Sequence, residues 1–333
     1  MQDAHPAPSR GLRRPRVEDD SPNRGVGLRR AAILVLAGVL AGPCAACDVA
    51  GSGSEAADPV PTLVELLDGT YEGILAEPVT LIRGTWEGDP FVDGGAARPS
   101  VGLVQHFLLE GDFDGDGTPE AAVLLWESTG GSGTRSYLAV MKRVGGEVRN
   151  LGTALVGDRT QVMSGSIADG RVVLELVEAG PGEAACCPSQ KTSTSWALTA
   201  AGLERVATEI VGTLSLADLG GPEWRLVELG RAQPVPDDVE ITIVFEGDRV
   251  AGHGGCNDYF GTVGSKAPGE LHFTATGTTM RACPEPAMGL EQEYLAALAT
   301  ASSYRFHGGR LVLGGATDGG PAVLVFARAA ERP

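Results

Sequence analysis

The chain has 333 residues, 48 of them glycine, with only 5% aromatic residues and a formal net charge of −17. This length leaves room for two domains of ordinary size, and the frequent glycines favour β structure with many tight turns. Because nucleic acid carries the same sign of charge as this chain, the composition argues against phosphate binding, and we expect no nucleic-acid partner.

Residues 1–47 have the pattern of a secretion signal. Arg29 and Arg30 precede an apolar run over residues 31–42, and small residues stand directly before Cys47. The run is too short for a permanent transmembrane helix. A cysteine after such a cleavage site resembles a bacterial lipoprotein signal, which implies that the thiol of Cys47 carries a diacylglycerol anchor. We therefore expect an exported protein, tied to the extracytoplasmic face of the cell membrane.

Residues 48–69 are predicted to be a flexible tether, because Gly, Ser and acidic residues dominate their first part. A short helix is expected within them, over residues 61–67. Residues 70–212 alternate strand-like runs with turn residues, which predicts a β-rich domain. The predicted strands of this domain are 78–82, 101–109, 121–126, 136–142, 147–151, 172–177 and 194–198.

An acidic loop follows the second of these long strands. Asp112, Asp114, Asp116, Thr118 and Glu120 occupy positions 1, 3, 5, 7 and 9 of a D-x-D-x-D-G pattern, the spacing of a calcium loop. Position 12 lies inside a predicted strand and holds no Glu, so the loop resembles the strand-loop-strand loops of integrin-type FG-GAP repeats rather than an EF-hand. Two alternatives stay open: a Ca²⁺ site, or an Asp/Gly-rich β-turn without metal.

Three further segments lie in the same predicted domain: the Gly-rich residues 130–134, residues 155–159, and residues 186–189 with the adjacent Cys186 and Cys187. The Gly-rich segment lacks the Gly-Lys-Ser/Thr of a phosphate-binding loop, so a hairpin tip is expected there. Together with the acidic loop, these segments resemble a poorly characterised domain of secreted bacterial lipoproteins. That resemblance implies no reaction.

A second domain is predicted over residues 215–330, so the whole chain is expected to be α+β and mostly β. Residues 240–245 alternate polar and apolar side chains, as a half-buried strand does, and residues 246–248 form a hairpin turn. Residues 286–301 have helical spacing. Residues 219–229 are predicted to form a turn and the first strand, and the other predicted strands are 249–252, 270–273, 304–306, 310–313 and 323–327.

The stretch Gly254-Gly255-Cys256-Asn257, the later Cys283 before a proline, and the helix that follows resemble the META domain, the family that includes the HslJ heat-shock envelope protein. The resemblance implies a small curved antiparallel sheet packed with one helix, and it suggests a stress-linked envelope role. Asn257 is expected to bond its own turn.

The resemblance to the META domain also implies a disulfide. In an exported protein, Cys256 and Cys283 of this pattern are expected to form a disulfide. Four cysteines outside the signal allow three pairings, and the one with Cys256–Cys283 leaves Cys186 and Cys187 to each other.

The sequence contains no Gly-x-Ser-x-Gly elbow, and no motif pairs a histidine with a nucleophile. We therefore expect no catalytic residue and a non-catalytic role in binding or envelope maintenance. The expected partners are the membrane, through the lipid anchor, and an envelope protein or polysaccharide. The alternatives are a calcium-stabilised interaction module, a cell-wall hydrolase and a protease inhibitor.

Overall fold

The computed structural model describes residues 59–329, apart from 132, 231, 232, 318 and 319. These residues belong to one compact unit, Glu55–Pro333. The predicted signal peptide, the predicted acylation site at Cys47 and residues 48–58 of the predicted tether lie outside the described residues.

The first part of the described chain contains one short helix and eleven strands. They are α1 (Leu63–Leu67), β1 (Thr70–Tyr71), β2 (Val79–Thr80), β3 (Thr85–Glu87), β4 (Ser100–Gly111), β5 (Glu120–Ser128), β6 (Arg135–Val144), β7 (Glu147–Asp158), β8 (Gln161–Ala168), β9 (Arg171–Glu178), β10 (Gln190–Thr199) and β11 (Gly202–Thr213).

The second part begins with a single 3₁₀ turn, Leu216–Leu219, and contains one helix and nine strands. They are β12 (Trp224–Leu229), β13 (Gln233–Pro234), β14 (Thr242–Glu246), β15 (Arg249–His253), β16 (Asp258–Gly264), β17 (His272–Thr278), α2 (Ala287–Thr300), β18 (Ala301–His307), β19 (Arg310–Thr317) and β20 (Gly320–Arg328).

The first part is built from two large antiparallel sheets, together with a small two-stranded sheet of β1 and β2. One sheet has the order β3-β4-β5-β6-β7, and the other has the order β11-β10-β9-β8. Leu124 of β5, Leu138 of β6, Leu174 of β9 and Trp196 of β10 are buried in one cluster between the two sheets. A second cluster covers the opposite face of the five-stranded sheet, where Leu66 of α1 packs. The five-stranded sheet is therefore covered on both faces.

The sequence of strand β5 is apolar at successive positions, and the packing on its two faces explains why. Ala122 and Leu124 lie in the cluster between the sheets, whereas Ala121, Val123 and Leu125 lie in the cluster under α1. Successive side chains of a strand point to opposite faces, so a strand covered on both faces must be apolar at every position. The run from residue 121 to 126 is thus a central strand.

The second part is a curved antiparallel sheet whose two ends nearly meet. Its strand order is β17-β16-β15-β14-β12-β20-β19-β18, with β13 paired to β12. At the gap, Glu270 bridges to Ser303, and the backbone N–H of Tyr304 donates to the carbonyl of Gly269 at 2.8 Å. These contacts join the two end strands, so the sheet is close to a closed barrel.

Helix α2 packs against the inner face of this sheet. Tyr294 of α2 is fully buried, and its ring lies edge-on to Tyr259 of β16 and Phe326 of β20, at 5.7 and 6.3 Å between centroids. The hydroxyls of Tyr259 and Tyr294 are 2.6 Å apart, and the Tyr259 hydroxyl donates to the carbonyl of Thr242 at 2.8 Å. The buried phenol groups are therefore satisfied by each other and by the backbone.

The predicted fold class, α+β and mostly β with a curved antiparallel sheet and one packed helix in the C-terminal part, is confirmed. Six strands were missed: the short β1, β3 and β13, and the longer β8, β11 and β16. The sequence of β8 is rich in small and polar residues, while β11 is exposed over most of its length. Strand β16 begins at Asp258, directly after the Gly-rich turn.

The prediction of a flexible tether over residues 48–69 is wrong at its C-terminal end. Residues 63–67 form α1, Leu66 is fully buried, and the side chain of Glu65 pairs with Arg143 of β6 at 2.5 Å. Because a buried leucine and an ion pair with the partly buried Arg143 fix this helix, residues 63–69 belong to the folded body and are not a flexible linker.

The tip of the β18–β19 hairpin packs against the first part of the chain and creates a seam between the two parts. Gly308 has φ of +57°, and a Cβ there would lie 2.7 Å from Val104 Cγ1. The N–H of Gly309 donates to the carbonyl of Val162 at 3.0 Å, and the N–H of Phe306 donates to the side chain of Gln161 at 2.9 Å. Only glycine fits at the tip, because both the backbone conformation and the space exclude a side chain.

Replacing Gly252 with alanine is expected to lower the free energy of unfolding by about 2–3 kcal/mol, the range of an overpacked core. The added Cβ would lie 2.0 Å from the carbonyl oxygen of Thr242 and 2.8 Å from the Tyr259 hydroxyl. Urea denaturation measures the change. Gly131→Ala is the matched control, since a Cβ there meets nothing within 4 Å. Equal stability of the two variants would contradict the close approach of β14 and β15.

Candidate functional site

The acidic loop between β4 and β5 is held by its own backbone. The two carboxylate oxygens of Asp112 accept from the N–H groups of Gly115 and Gly117, at 2.7 and 3.0 Å. Asp114 accepts from the N–H of Asp116 at 3.1 Å, and Asp116 accepts from the N–H of Thr118 at 2.9 Å. The carboxylates thus fold inward because they cap the turn.

Lys142 of β6 enters the middle of this loop. Its ammonium lies 2.6 Å from Asp114 Oδ2, 2.7 Å from Asp116 Oδ2 and 2.8 Å from Glu120 Oε1. Glu120 is fully buried, and the Lys142 side chain is 10% exposed. Although burial disfavours the charged form, the bonds to these three carboxylates raise the pKa of Lys142 above its usual value. The lysine therefore stays charged at the centre of the cluster.

The donor set fits an oxygen-seeking cation. Ligand atoms of Asp112, Asp114, Asp116 and Glu120 lie within 4.8 Å of one another and could hold a metal ion, and carboxylate oxygens are the ligands that Ca²⁺ prefers. The ammonium of Lys142 contacts three of those four carboxylates. A divalent ion bound there would therefore compete with Lys142 for the same oxygens.

Cys186 and Cys187 lie in an exposed turn between β9 and β10. The structure holds both as thiols, with their Sγ atoms 2.8 Å apart. A disulfide bond is about 2.05 Å long, so the two sulfurs are adjacent but not bonded. The predicted bond between Cys186 and Cys187 stays a prediction.

The Gly-rich turn of the second part is fixed from two sides. Cys256 forms a disulfide with Cys283 across 27 positions, which confirms the predicted pairing. Glu291 of α2, only 7% exposed, accepts from the N–H groups of Cys256 and Asn257 at 3.1 and 2.5 Å. Its other oxygen accepts from Asn257 Nδ2 at 2.9 Å. The turn is thus tied to the helix by three hydrogen bonds to one buried carboxylate.

Asn257 links this turn to the segment that carries Cys283. Its Oδ1 accepts from the Thr279 hydroxyl at 2.9 Å and from the N–H of Arg281 at 2.6 Å, and its Nδ2 also donates to the Arg281 carbonyl at 3.2 Å. The expectation that the Asn257 side chain bonds its own turn is wrong. Its amide is 4% exposed, and inside the protein the facing backbone supplies its partners. We call Cys256, Asn257, Cys283 and Glu291 the turn clamp.

A hydrogen-bonded group of three side chains, one of them an imidazole, lies beside the turn clamp at the surface. His253 Nδ1 is 2.9 Å from Asp258 Oδ1, and Arg281 donates to Asp258 Oδ2 at 2.7 Å. The bond to His253 and the charge of Arg281 hold the pKa of Asp258 below its usual value. Among the described residues, no Ser, Thr or Cys side chain hydrogen-bonds a histidine ring, so this group is an ion-pair cluster without a nucleophile.

The sequence analysis did not predict the roles of Glu291 in the turn clamp and Lys142 in the acidic loop. Glu291 has a usable signal, because it precedes the buried Tyr294 and Leu298 by three and seven positions and so lies on the buried face of the helix. Lys142 has a weaker one. It ends the apolar run of β6, and nothing in the sequence indicates that its ammonium reaches a loop 22 to 28 positions earlier.

Comparison with known proteins agrees with this geometry. Residues 217–331 match the family model of the META domain. The chain thus contains a META domain. The resemblance inferred from the Gly-rich turn is confirmed, and the turn clamp, the curved sheet and α2 all lie within this META domain.

The other comparisons add little. A comparison with curated proteins found no match. Among solved structures, the NMR structure of the protein from Burkholderia xenovorans is 24% identical, covers 38% of this chain and 95% of its own, and has a TM-score of 0.29. A TM-score this low supports no argument about function. Within residues 59–329, neither helix has the length and hydrophobicity needed to cross a membrane.

Replacing Glu291 with alanine is expected to lower the free energy of unfolding of the META domain by about 3 kcal/mol, because two buried backbone N–H groups and the Asn257 amide lose their acceptor. Glu293→Ala is the matched control, since Glu293 is an exposed glutamate on the same helix. Urea denaturation under oxidising conditions compares the two variants. An equal cost at both positions would show that the Glu291 carboxylate does not fix the turn.

Proposed function

We propose that the chain is an exported, lipid-anchored envelope protein whose META domain serves in binding or envelope maintenance without catalysis. The observation that carries the proposal is the Cys256–Cys283 disulfide inside the META domain. Disulfides persist in oxidising compartments outside the cytosol. The signal pattern of residues 1–47 and the cysteine at position 47 agree with export followed by acylation.

The polar groups of the turn clamp support a non-catalytic role. Glu291 and Asn257 are buried, and their hydrogen bonds go to backbone groups, to each other and to the Thr279 hydroxyl. A general base or nucleophile has to reach a substrate, whereas these side chains hold a turn in place. We propose that an envelope protein or polysaccharide is the partner, and that stress conditions raise the demand for this role.

The anchor is tested by acylation of the whole protein in cells. Replacing Cys47 with serine is expected to abolish incorporation of labelled palmitate and to release the protein from the membrane fraction, because serine offers no thiol for the diacylglycerol. Cys44→Ser is the matched control, and it should retain both the label and the membrane fraction. Unchanged membrane attachment of the Cys47 variant would rule out the anchor at this position.

A second candidate function is a calcium-stabilised interaction module. The observation that favours it is the group of four carboxylates in the acidic loop, and the one that opposes it is the ammonium of Lys142 among them. Residues Asp114, Asp116 and Glu120 would then bind Ca²⁺ in exchange for Lys142. In the metal-free form, Lys142 supplies the positive charge that holds the loop closed.

Calcium titration by calorimetry distinguishes a Ca²⁺-binding loop from a metal-free loop that Lys142 holds closed. Replacing Lys142 with methionine should strengthen Ca²⁺ binding by about tenfold or more, because the competing charge is removed and three carboxylates lose their partner. Without Ca²⁺, the Lys142 variant should have a lower melting temperature than the wild type, and Ca²⁺ should restore it. Asp114→Asn in the Lys142→Met background is the control and should weaken the binding. Absence of Ca²⁺ binding in Lys142→Met would leave the loop as a metal-free turn.

A further inference from the structure

A cavity of about 590 Å³ lies at the seam between the two parts of the chain. Its walls include Trp126 of β5, Gln161 of β8, Pro188 of the cysteine-bearing turn, and Arg305 and His307 of β18. Ligand cavities in proteins are of this size, and they occur preferentially where two structural bodies meet. The cavity depends on both parts, because neither part alone supplies all its walls.

The charge of this cavity is opposite to that of the protein. The chain carries a formal charge of −17, yet two arginines, Arg159 and Arg305, line the cavity. Within the described residues, Arg305 has no carboxylate within 4.0 Å, and Arg159 lies 3.9 Å from Asp158. A guanidinium can accept a carboxylate in a bidentate geometry, so the cavity offers a cationic group to an anionic ligand.

The histidines at the seam add no charge at neutral pH. Burial lowers the pKa of His106 to about 4. Burial also lowers the pKa of His307, and the nearby Arg305 and Arg310 lower it further. Glu228, the acid beside Arg310, pairs with it at 3.3 Å. The positive charge at the seam therefore comes from the arginines, and Glu228 is already matched.

Neutral groups of the cavity fit a sugar. Trp126 is partly buried and packs against Gly102, where a Cβ would lie 2.5 Å from the indole, so the position of the ring is fixed by its neighbour strand. Three hydroxyl-bearing residues, Thr134, Ser136 and Thr160, line the same cavity. The side-chain carbonyl of Gln161 accepts from Phe306 N–H, and its NH₂ group is a donor for a ligand. An aromatic ring beside hydroxyl and amide groups matches the alternating apolar and hydroxylated faces of a sugar ring.

We propose that the seam cavity binds an acidic saccharide unit, whose carboxylate contacts Arg305 and whose ring packs against Trp126. The proposal names a ligand class for the polysaccharide partner and so deepens the proposed function. A bare inorganic anion would use the arginine and leave the indole and the hydroxyls without a role. Failure of binding would leave the acylation of Cys47 untouched, so the two proposals fail separately.

The test is calorimetric titration of the purified full chain with digalacturonic acid, with an uncharged galactose disaccharide and with sodium sulfate as comparison ligands. Digalacturonic acid is expected to bind, and the other two ligands are expected to bind at least about tenfold more weakly. Added salt should weaken the binding, because an ion pair near the surface is screened.

Arg305→Gln is expected to weaken the binding of digalacturonic acid by about tenfold or more, the range for a lost hydrogen bond to a charged group. Arg171→Gln, a change at another exposed arginine without an ion pair within 4.0 Å in the described residues, is the matched control and should bind like the wild type. Both positions are exposed, so neither variant should lose its fold, which the melting temperature checks.

The proposal would be overturned by no binding of digalacturonic acid, by equal binding to wild type and Arg305→Gln, or by sulfate binding as tightly as the acidic sugar. The last outcome would leave an anion site without saccharide recognition. Binding of the uncharged disaccharide as tightly as digalacturonic acid would show that Arg305 does not recognise a carboxylate, and it would also overturn the proposal.

Discussion

The META domain depends on one buried carboxylate. Glu291 projects from the first turns of α2 to the Gly-rich turn and accepts three hydrogen bonds there. A carboxylate buried away from water is costly unless such donors surround it. The constraint works in both directions: the turn must present its N–H groups to the helix, and the helix must lie against the turn. The Cys256–Cys283 disulfide and Asn257 fix the third segment of the same junction.

In the acidic loop of the first part, a buried charge is again satisfied by surrounding polar groups, but here the central charge is positive. There the buried charge includes Lys142, and the groups that satisfy it are three carboxylates. The backbone also positions those carboxylates, because each of Asp114, Asp116 and Glu120 accepts from a nearby N–H as well. An ion cluster therefore joins the loop to β6, in addition to the apolar packing of Phe113.

The seam is the contact between the first part of the chain and the META domain. The tip of the β18–β19 hairpin can approach Val104 and Val162 because Gly308 and Gly309 carry no side chain. That approach places Arg305 and His307 opposite residues of β5 and β8 and leaves a cavity between them. The two parts thus share a polar cavity as well as apolar contacts, and Arg305, one of the two arginines that line it, has no carboxylate within 4.0 Å among the described residues.

The sequence by itself determined the β-rich class, the helix at residues 286–301 and the META domain with its disulfide, because each rests on local signals: alternation, helical spacing, and cysteines beside glycines. It did not determine strands such as β11, whose side chains face solvent and carry no periodic pattern. Only the tertiary structure decided that Lys142 would lie among the carboxylates, that Asn257 would bond across the chain, and that Arg305 would line a cavity with Trp126. These contacts join residues far apart in the chain, and sequence spacing holds no information about which distant strands will face each other.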